Sequence, residues 1–555
     1  MNLELKKPLF VNDRDVVLRS QAEASGRKTE INHLIMGDYV KFLGEEKSGW
    51  LKIRSRRTNG WVMKSSLTNE RMLEVNFVDI GQGDGCHIVT PNDEVILIDA
   101  GEGKGFDRKG GDNMSRFLNW RYNLRSRKVV GVDGVKKTDS YATKPFDIDY
   151  IVISHPDLDH YYGFESVFQN RKLRINKIYH NGLVERSGKP GPNEKWFHDL
   201  GKSAKSGGIT YLVDTIKSDA QMKRLLKEQS ESGKYYVKTL RYALENNSSI
   251  EFEILDSSKS HMHNFKGRNK INIEVLAPIL EKVEIDGKEV ECLRKLGNEG
   301  ETKNGHSVVL RLIHGKLKLM LGGDLNIKSQ DFLAQYYSKI DTKLSTLEKQ
   351  IKKLREKLSY VGELTTRKRK EYEQDLEESQ RLLDLIVSKT RKYFQCDIAK
   401  ACHHGASDIL DSFLFAYNPI ATVISSGDNE SHSHPRPDAL GAFGRSSRGN
   451  RPLIFSTELA RSSKEFSYPI KFYNVIKKIE EAMNKADTAK KRKHYFDRMQ
   501  KMKDSNIAKY GMISVRSNGE KVIIAQMLEV KRSKGQRWDI YELKWNPKLE
   551  EFEYI

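Results

Sequence analysis

Ser154-His155-Pro156-Asp157-Leu158-Asp159-His160 puts four candidate metal ligands into six consecutive positions, directly after the apolar run Ile148 to Ile153. A buried strand followed by an extended segment points alternate side chains the same way. His155, Asp157 and Asp159 can therefore converge while His160 turns into the next element. Imidazole and carboxylate together suit Zn, Mn or Fe, and two such groups per ion leave positions open for water and substrate.

The elements that would position these groups have the same texture. Val75 to Gly85 (VNFVDIGQGDG) is a strand running into a glycine-rich turn that holds Asp79 and Asp84, and Val95 to Gly101 (VILIDAG) is a second buried strand ending in Asp99. Glycines there allow positive φ or close backbone approach. Further along come Asn304-Gly305-His306-Ser307 before a strand, Leu317 to Leu321 leading into Gly322-Gly323-Asp324, and Asp397 to Ser407 (DIAKACHHGAS) with His403 and His404. Ser425-Ser426-Gly427-Asp428-Asn429 and then Ser433-His434-Pro435 close the series. In this order the motifs resemble the metallo-β-lactamase fold, and more narrowly the soluble hydrolase part of the ComEC competence proteins, which carries His-x-Asp-x-Asp-His where the general fold usually has a second His. The resemblance implies an α/β four-layer αββα sandwich.

It also implies a two-metal site. Asp324 is placed by resemblance to bridge two divalent ions; His155, Asp157 and His306 (or Asn304 in its stead) would hold one, and Asp159, His160 and one of His403 or His404 the other. Such a pair lowers the pKa of water and clamps the attacking and leaving oxygens of a phosphodiester. His434 is read as touching substrate phosphate or protonating the leaving oxygen, with His432 a lesser candidate. Asp79, Asp84 and Asp99 are expected to orient ligands or stabilise turns rather than to ligate. Extra carboxylate hardens the first position and favours Mn over Zn.

Charge indicates the substrate. Of 555 residues, 96 are Lys or Arg and 76 Asp or Glu, a net charge of +20, which attracts polyanions. The excess is localised: Lys104 to Lys137, Lys343 to Lys370 and Lys485 to Lys509 carry local excesses of 7, 7 and 6, together equal to the net charge. Any one run reads as a solvated helix face; three on a phosphodiesterase point to nucleic acid. In the first, Arg116, Arg121, Arg125, Arg127 and Lys128 are the candidate nucleic-acid contacts, on or just after an amphipathic helix from Asn113 to Leu124. Four scattered cysteines, Cys86, Cys292, Cys396 and Cys402, form no CxxC pair, which fits a reducing compartment. No stretch is apolar enough to span a membrane, and the N-terminus has no secretory pattern, so the expectation is a cytoplasmic protein.

Two further parts surround this core. Residues 13–70 have short alternating runs, with Gly49-Trp50-Leu51-Lys52-Ile53 followed by Gly60-Trp61-Val62, and resemble the bacterial SH3-like family, a small all-β barrel; Trp50 and Trp61 read as core. The hydrolase is expected over 73–555, interrupted by a helical hairpin or short coiled coil at 328–394 and a basic helical segment at 460–508. In the hairpin, Leu344, Leu347, Ile351, Leu354 and Leu358 keep three-four spacing. The sequence thus predicts a metal-dependent phosphodiesterase, a DNA nuclease that could serve as a phage-defence effector with a protein partner or as a homo-oligomer. The rivals are a hydrolase of another phosphoester or nucleotide signal, and an assembly subunit that binds partners.

Overall fold

The computed structural model describes residues 3–555 except 6, 103–111, 193, 268–270, 361–363, 428–432, 450, 458–469, 508–510 and 529–530. His432, Asp428, Asn429, the start of the first basic run and the turn at Gly362 lie outside the described residues.

Two sheets meet face to face. A ten-stranded sheet runs from Glu251–Ile254 at one edge through Leu173–His180, Phe146–Val152, Val95–Ala100, Gly85–Val89 and Leu73–Phe77. It continues through Ile513–Ser517, Lys521–Met527 and Trp538–Asn546 to Glu551–Tyr554. A six-stranded sheet orders Ile271–Ala277, Val309–His314, Leu317–Gly322, Ile398–Lys400, Ala421–Ile424 and Leu453–Ser456. Val75, Ile88, Val152 and Val515 of the first sheet pack against Val275, Leu310, Leu319, Ile398 and Val423 of the second. Burying such side chains contributes about 1.5–3 kcal/mol each. The strands read as near-continuous apolar runs because helices cover the outer faces as well. On one side lie Asn113–Arg121, Phe164–Phe168, Asp219–Glu228 and Tyr235–Asn246; on the other, Ile327–Ser338, Leu344–Ser359, Thr366–Phe394 and Asp411–Tyr417. The order is helix, sheet, sheet, helix.

The N-terminal seven-stranded antiparallel sheet spans Pro8 to Thr68, so it starts five residues before the expected boundary at 13 and includes a strand, Glu30–Ile35, that the alternation did not reveal. Its core is Leu9, Val11, Leu18, Leu34, Val40, Leu51, Ile53 and Val62, with Trp50 and Trp61 only half-buried at its rim. This corrects the reading of the tryptophans as core. The sheet is docked on the larger one: Ile35, Met36 and Met72 pack on Ile523 and Ala525, and the Arg56 guanidinium lies 3.5 Å from the Trp120 ring centroid.

Leu344–Ser359 and Thr366–Phe394 form an antiparallel pair whose base is buried through Leu344, Leu347, Ile386, Val387 and Phe394. The seam of three-four leucines thus closes largely on its own partner helix and on the hydrolase. A separate five-stranded sheet is built from Lys195–Trp196, Lys202–Ser206, Ile209–Leu212, Lys288–Arg294 and Glu281–Ile285. Its Arg294 end delivers the short helix Glu299–Gly305 to the rim of the site. Among the described residues no helix is long and apolar enough to cross a membrane.

Candidate metal centre

Five strand ends from both sheets converge. Val95–Ala100 ends in Asp99; Phe146–Val152 is followed by His155 to His160; Leu317–Gly322 delivers Asp324; Ile398–Lys400 delivers His403 and His404; and Ala421–Ile424 ends at Ser425. Each strand is fixed by apolar neighbours on both faces, so the polar groups at its end have little freedom. The glycine turn locks the loop: Gly83 has φ +103°, and a Cβ there would stand 1.8 Å from the Asp159 carbonyl oxygen, so only glycine fits. His403 and His404 both take left-handed backbone (φ 47° and 52°), a cost that the surroundings must impose.

The imidazoles are oriented from behind. His160 Nδ1 donates to Asp99 Oδ2 at 2.9 Å, while Asp99 Oδ1 accepts the Ser154 N–H at 2.8 Å. His404 Nδ1 donates to the Ser425 carbonyl at 3.0 Å, and His403 Nδ1 to Asp408 at 2.9 Å. Each contact holds Nδ1 from behind and turns Nε2 towards the centre, which is how metal-ligating histidines are usually prepared. The freed Nε2 atoms of His160 and His404 both lie 3.1 Å from Asp324 Oδ2. Asp159 closes the group, with its carboxylate 3.7 Å from His160 Nε2 and 3.4 Å from His404 Nε2. A tetrahedral ion with bonds of about 2.0–2.1 Å needs ligand edges of about 3.4 Å.

Asp84, His160, Asp324 and His404, all buried, also present ligand-type atoms within 4.8 Å of one another. Asp84, however, faces the Nδ1 side of both rings, 3.2 Å from His404 and 3.9 Å from His160, and is bound by the ammonium of Lys400. We therefore place Asp84 behind the rings and Asp159 in front of them. Asp324 Oδ1 is buried without a hydrogen-bond partner, a costly state that a bound cation would relieve. The donor set fits a divalent ion.

A second group lies beside the first, with the His155 and His160 ring centroids 4.0 Å apart. His155 Nε2 lies 3.7 Å from Asp157 Oδ2, the Asn304 carboxamide reaches these two atoms at 3.1 and 2.8 Å, and His403 Nε2 stands 3.9 Å from Asp324 Oδ2. Burial is the first cause that moves His155 down from the ordinary imidazole range, and the neighbouring His160 adds to it. Asp159 is held far below the usual carboxylate range: burial opposes this, but His160 and His404 outweigh it.

Several expected residues sit elsewhere. His306 caps the helix Glu299–Gly305 and its Nε2 donates to the Arg294 carbonyl at 2.7 Å; burial lowers it to about 4. It is not in the cluster, because the helical turn carries Asn304 to the site and rotates His306 away. Asp79 accepts the Gly81 N–H at 3.4 Å within the turn. The His434 ring centroid lies 5.7 Å from that of His403 and 6.2 Å from that of His404, at the mouth. Lys400 and Lys303 also line the site, and neither was marked by a ligand motif in the sequence. Lys400 occupies a buried strand position amid apolar residues, which is the one signal that could have marked it.

The arginines expected to grip nucleic acid are spoken for. Arg116, 1 % exposed, donates to Gln500 at 3.2 Å and lies 3.7 Å from Asp504. Arg125 makes a forked pair with Asp504, and Arg121 pairs with the buried Glu74 at 2.8 Å. These three guanidiniums clamp the helices Asn113–Arg121 and Ala489–Ile507 to the hydrolase instead of facing a polyanion. Arg127, half-buried, donates to Thr143 at 2.8 Å; Lys128 is exposed.

The sequence profile of the metallo-beta-lactamase superfamily matches residues 86–384, more than half of the chain. The protein belongs to the metallo-beta-lactamase superfamily. The match takes in the His155–His160 segment and Asp324; His403 and His404 lie beyond its end but stand beside Asp324 in space. The superfamily's metal-dependent hydrolysis accords with the buried Asp and His cluster. No curated protein matches the chain.

Proposed function

We propose that this protein is a metal-dependent phosphodiesterase, a nuclease acting on DNA, that uses two divalent ions, Mn or Zn, about Asp324. The observation that carries this reading is the meeting of His160 and His404 Nε2 on Asp324 Oδ2, both at 3.1 Å, with Asp159 beside them. Asp159, His160, Asp324 and His404 are assigned to one ion, and His155, Asp157, His403 and Asn304, with Asp324, to the other. Bound ions supply the Lewis acidity that makes water nucleophilic at neutral pH and offset charge on a scissile phosphate. The chain's own groups do the rest. Gln82 donates to Asp159 at 3.2 Å and fixes its carboxylate; Asp99, Ser425 and Asp408 hold the tautomers; His434 at the mouth contacts the phosphate or protonates the leaving oxygen.

DNA is favoured by charge that stays exposed after the arginine pairs are discounted. Lys490, Arg492 and Lys493 are solvent-exposed on the helix Ala489–Ile507, as is Lys128, while Lys491 between them pairs with Asp487 at 3.0 Å; a row of this kind binds phosphate backbone. The N-terminal barrel, with its SH3-like pattern, and the helical hairpin are proposed as partner surfaces of a cytoplasmic effector, such as one directed against phage.

The test incubates the purified chain with linear, closed circular and single-stranded DNA in Mn, Mg or Zn, beside an Asp159→Ala, Asp324→Ala double variant. Metal-dependent cleavage that the variant loses is expected. Hydrolysis of bis-aryl phosphate or cyclic dinucleotides with DNA left intact would overturn the DNA assignment, and inertness towards all of them would overturn the phosphodiesterase reading.

A further inference from the structure

The two ligand groups beside Asp324 differ in what already occupies them. In the group of Asp159, His160, Asp324 and His404, both rings present Nε2, and Lys400 approaches only from behind, pairing with Asp84 and standing 3.6 Å from Asp324 Oδ1. In the group of His155, Asp157, Asn304 and His403, a cation is already present. The Lys303 ammonium is 2.6 Å from Asp157 Oδ1, 3.0 Å from Glu185 and 3.9 Å from Glu299, and its side chain is 12 % exposed. Asn304 takes the other Asp157 oxygen at 2.8 Å. The His155 ring also has weaker backing: its Nδ1 faces the hydroxyls of Ser154 (3.0 Å) and Ser307 (3.2 Å), where His160 and His403 have carboxylates. Hydroxyls raise ligand basicity less than a carboxylate does.

We propose that the two ion positions are unequal, and that Lys303 is the resident cation that keeps the Asp157 position closed to a second divalent ion until its ammonium shifts wholly onto Glu185 and Glu299. The proposal rests on the metal-centre reading above. It makes Lys303 a positioning residue that sets occupancy, and it makes Glu185 the counter-charge that lets Lys303 leave Asp157 without being stranded. A unit charge within a few ångströms of the ion position weighs heavily at the low effective dielectric of a part-buried site.

Mn binding to the full chain, followed by equilibrium dialysis and mass-spectrometric metal counting, tests this without reference to activity. The wild type is expected to hold one ion tightly and a second at least about tenfold more weakly. Lys303→Met tightens the second ion by about tenfold or more and leaves the first unchanged, Lys303→Arg keeps the inequality, and Glu185→Gln weakens the second further. Two ions of equal affinity in the wild type, or a Lys303→Met chain whose second ion binds no better, would overturn the proposal. Glu185→Gln decides the matter independently if Lys303→Met does not fold. A wild type that binds no ion at all is a distinct result, which refutes the metal centre itself.

Discussion

Replacing Asp99 by Asn tests the orientation of the centre with little change in shape. Asp99 is buried, and its carboxylate accepts the Ser154 N–H at 2.8 Å and His160 Nδ1–H at 2.9 Å. Its backbone is left-handed (φ 54°), a conformation that Asn tolerates well, so the change adds no strain. An asparagine can keep only one of the two acceptors. With its oxygen on Ser154 N–H, its NH2 faces His160 Nδ1 and stabilises the tautomer protonated on Nε2, the atom that points to Asp324. The cost is one misdirected ligand, about 10–100-fold in metal affinity, equivalent to about 1.4–2.7 kcal/mol. Competition against a chromophoric chelator measures it, with circular dichroism confirming the fold. Wild-type affinity in a folded Asp99→Asn chain would refute the claim that His160 Nε2 is held ready by this carboxylate.

His434→Ala should lower turnover by about 10²–10⁴-fold with metal content unchanged, read from steady-state kinetics and metal counting. Asp504→Ala leaves Arg116 and Arg125 without their shared carboxylate, which is 3 % exposed; a loss of about 3–5 kcal/mol is expected, with faster hydrogen exchange over 489–507. His87 and His180 are buried and neutral, each lowered by burial to about 3. Because the unfolded chain binds these protons at about pH 6.5 and the folded chain only near pH 3, stability present above pH 6.5 is lost as pH falls towards 3. Each group contributes up to about 1.4 kcal/mol per pH unit, seen as a falling denaturation midpoint.

Much of this arrangement was legible in residue order because the ligands sit on apolar strands. Runs such as Val95 to Ile98 and Leu317 to Leu321 declare buried strands, and the acid or histidine that follows each one must lie at a sheet end. The partners across the site were not legible. Lys303 meets Glu185 and Lys400 meets Asp84 over long sequence separations, and no local period reports such pairs. His306 and Asn304 are two residues apart, and only the helical turn from Glu299 to Gly305 decides which of them faces His155. The basic run from Lys104 to Lys137 misled for a related reason. Counting charges cannot tell a solvated arginine from one matched by Glu74 or Asp504, and Arg116, Arg121 and Arg125 are matched.

The most direct test of the account is anomalous diffraction at the Mn edge from crystals of the full chain grown with Mn. A strong peak is expected in contact with Asp159, His160, Asp324 and His404, and a weaker one, or none, beside His155 and Asp157. A strong peak elsewhere, or none within reach of Asp324, would contradict the assignment of this cluster as a hydrolytic metal centre.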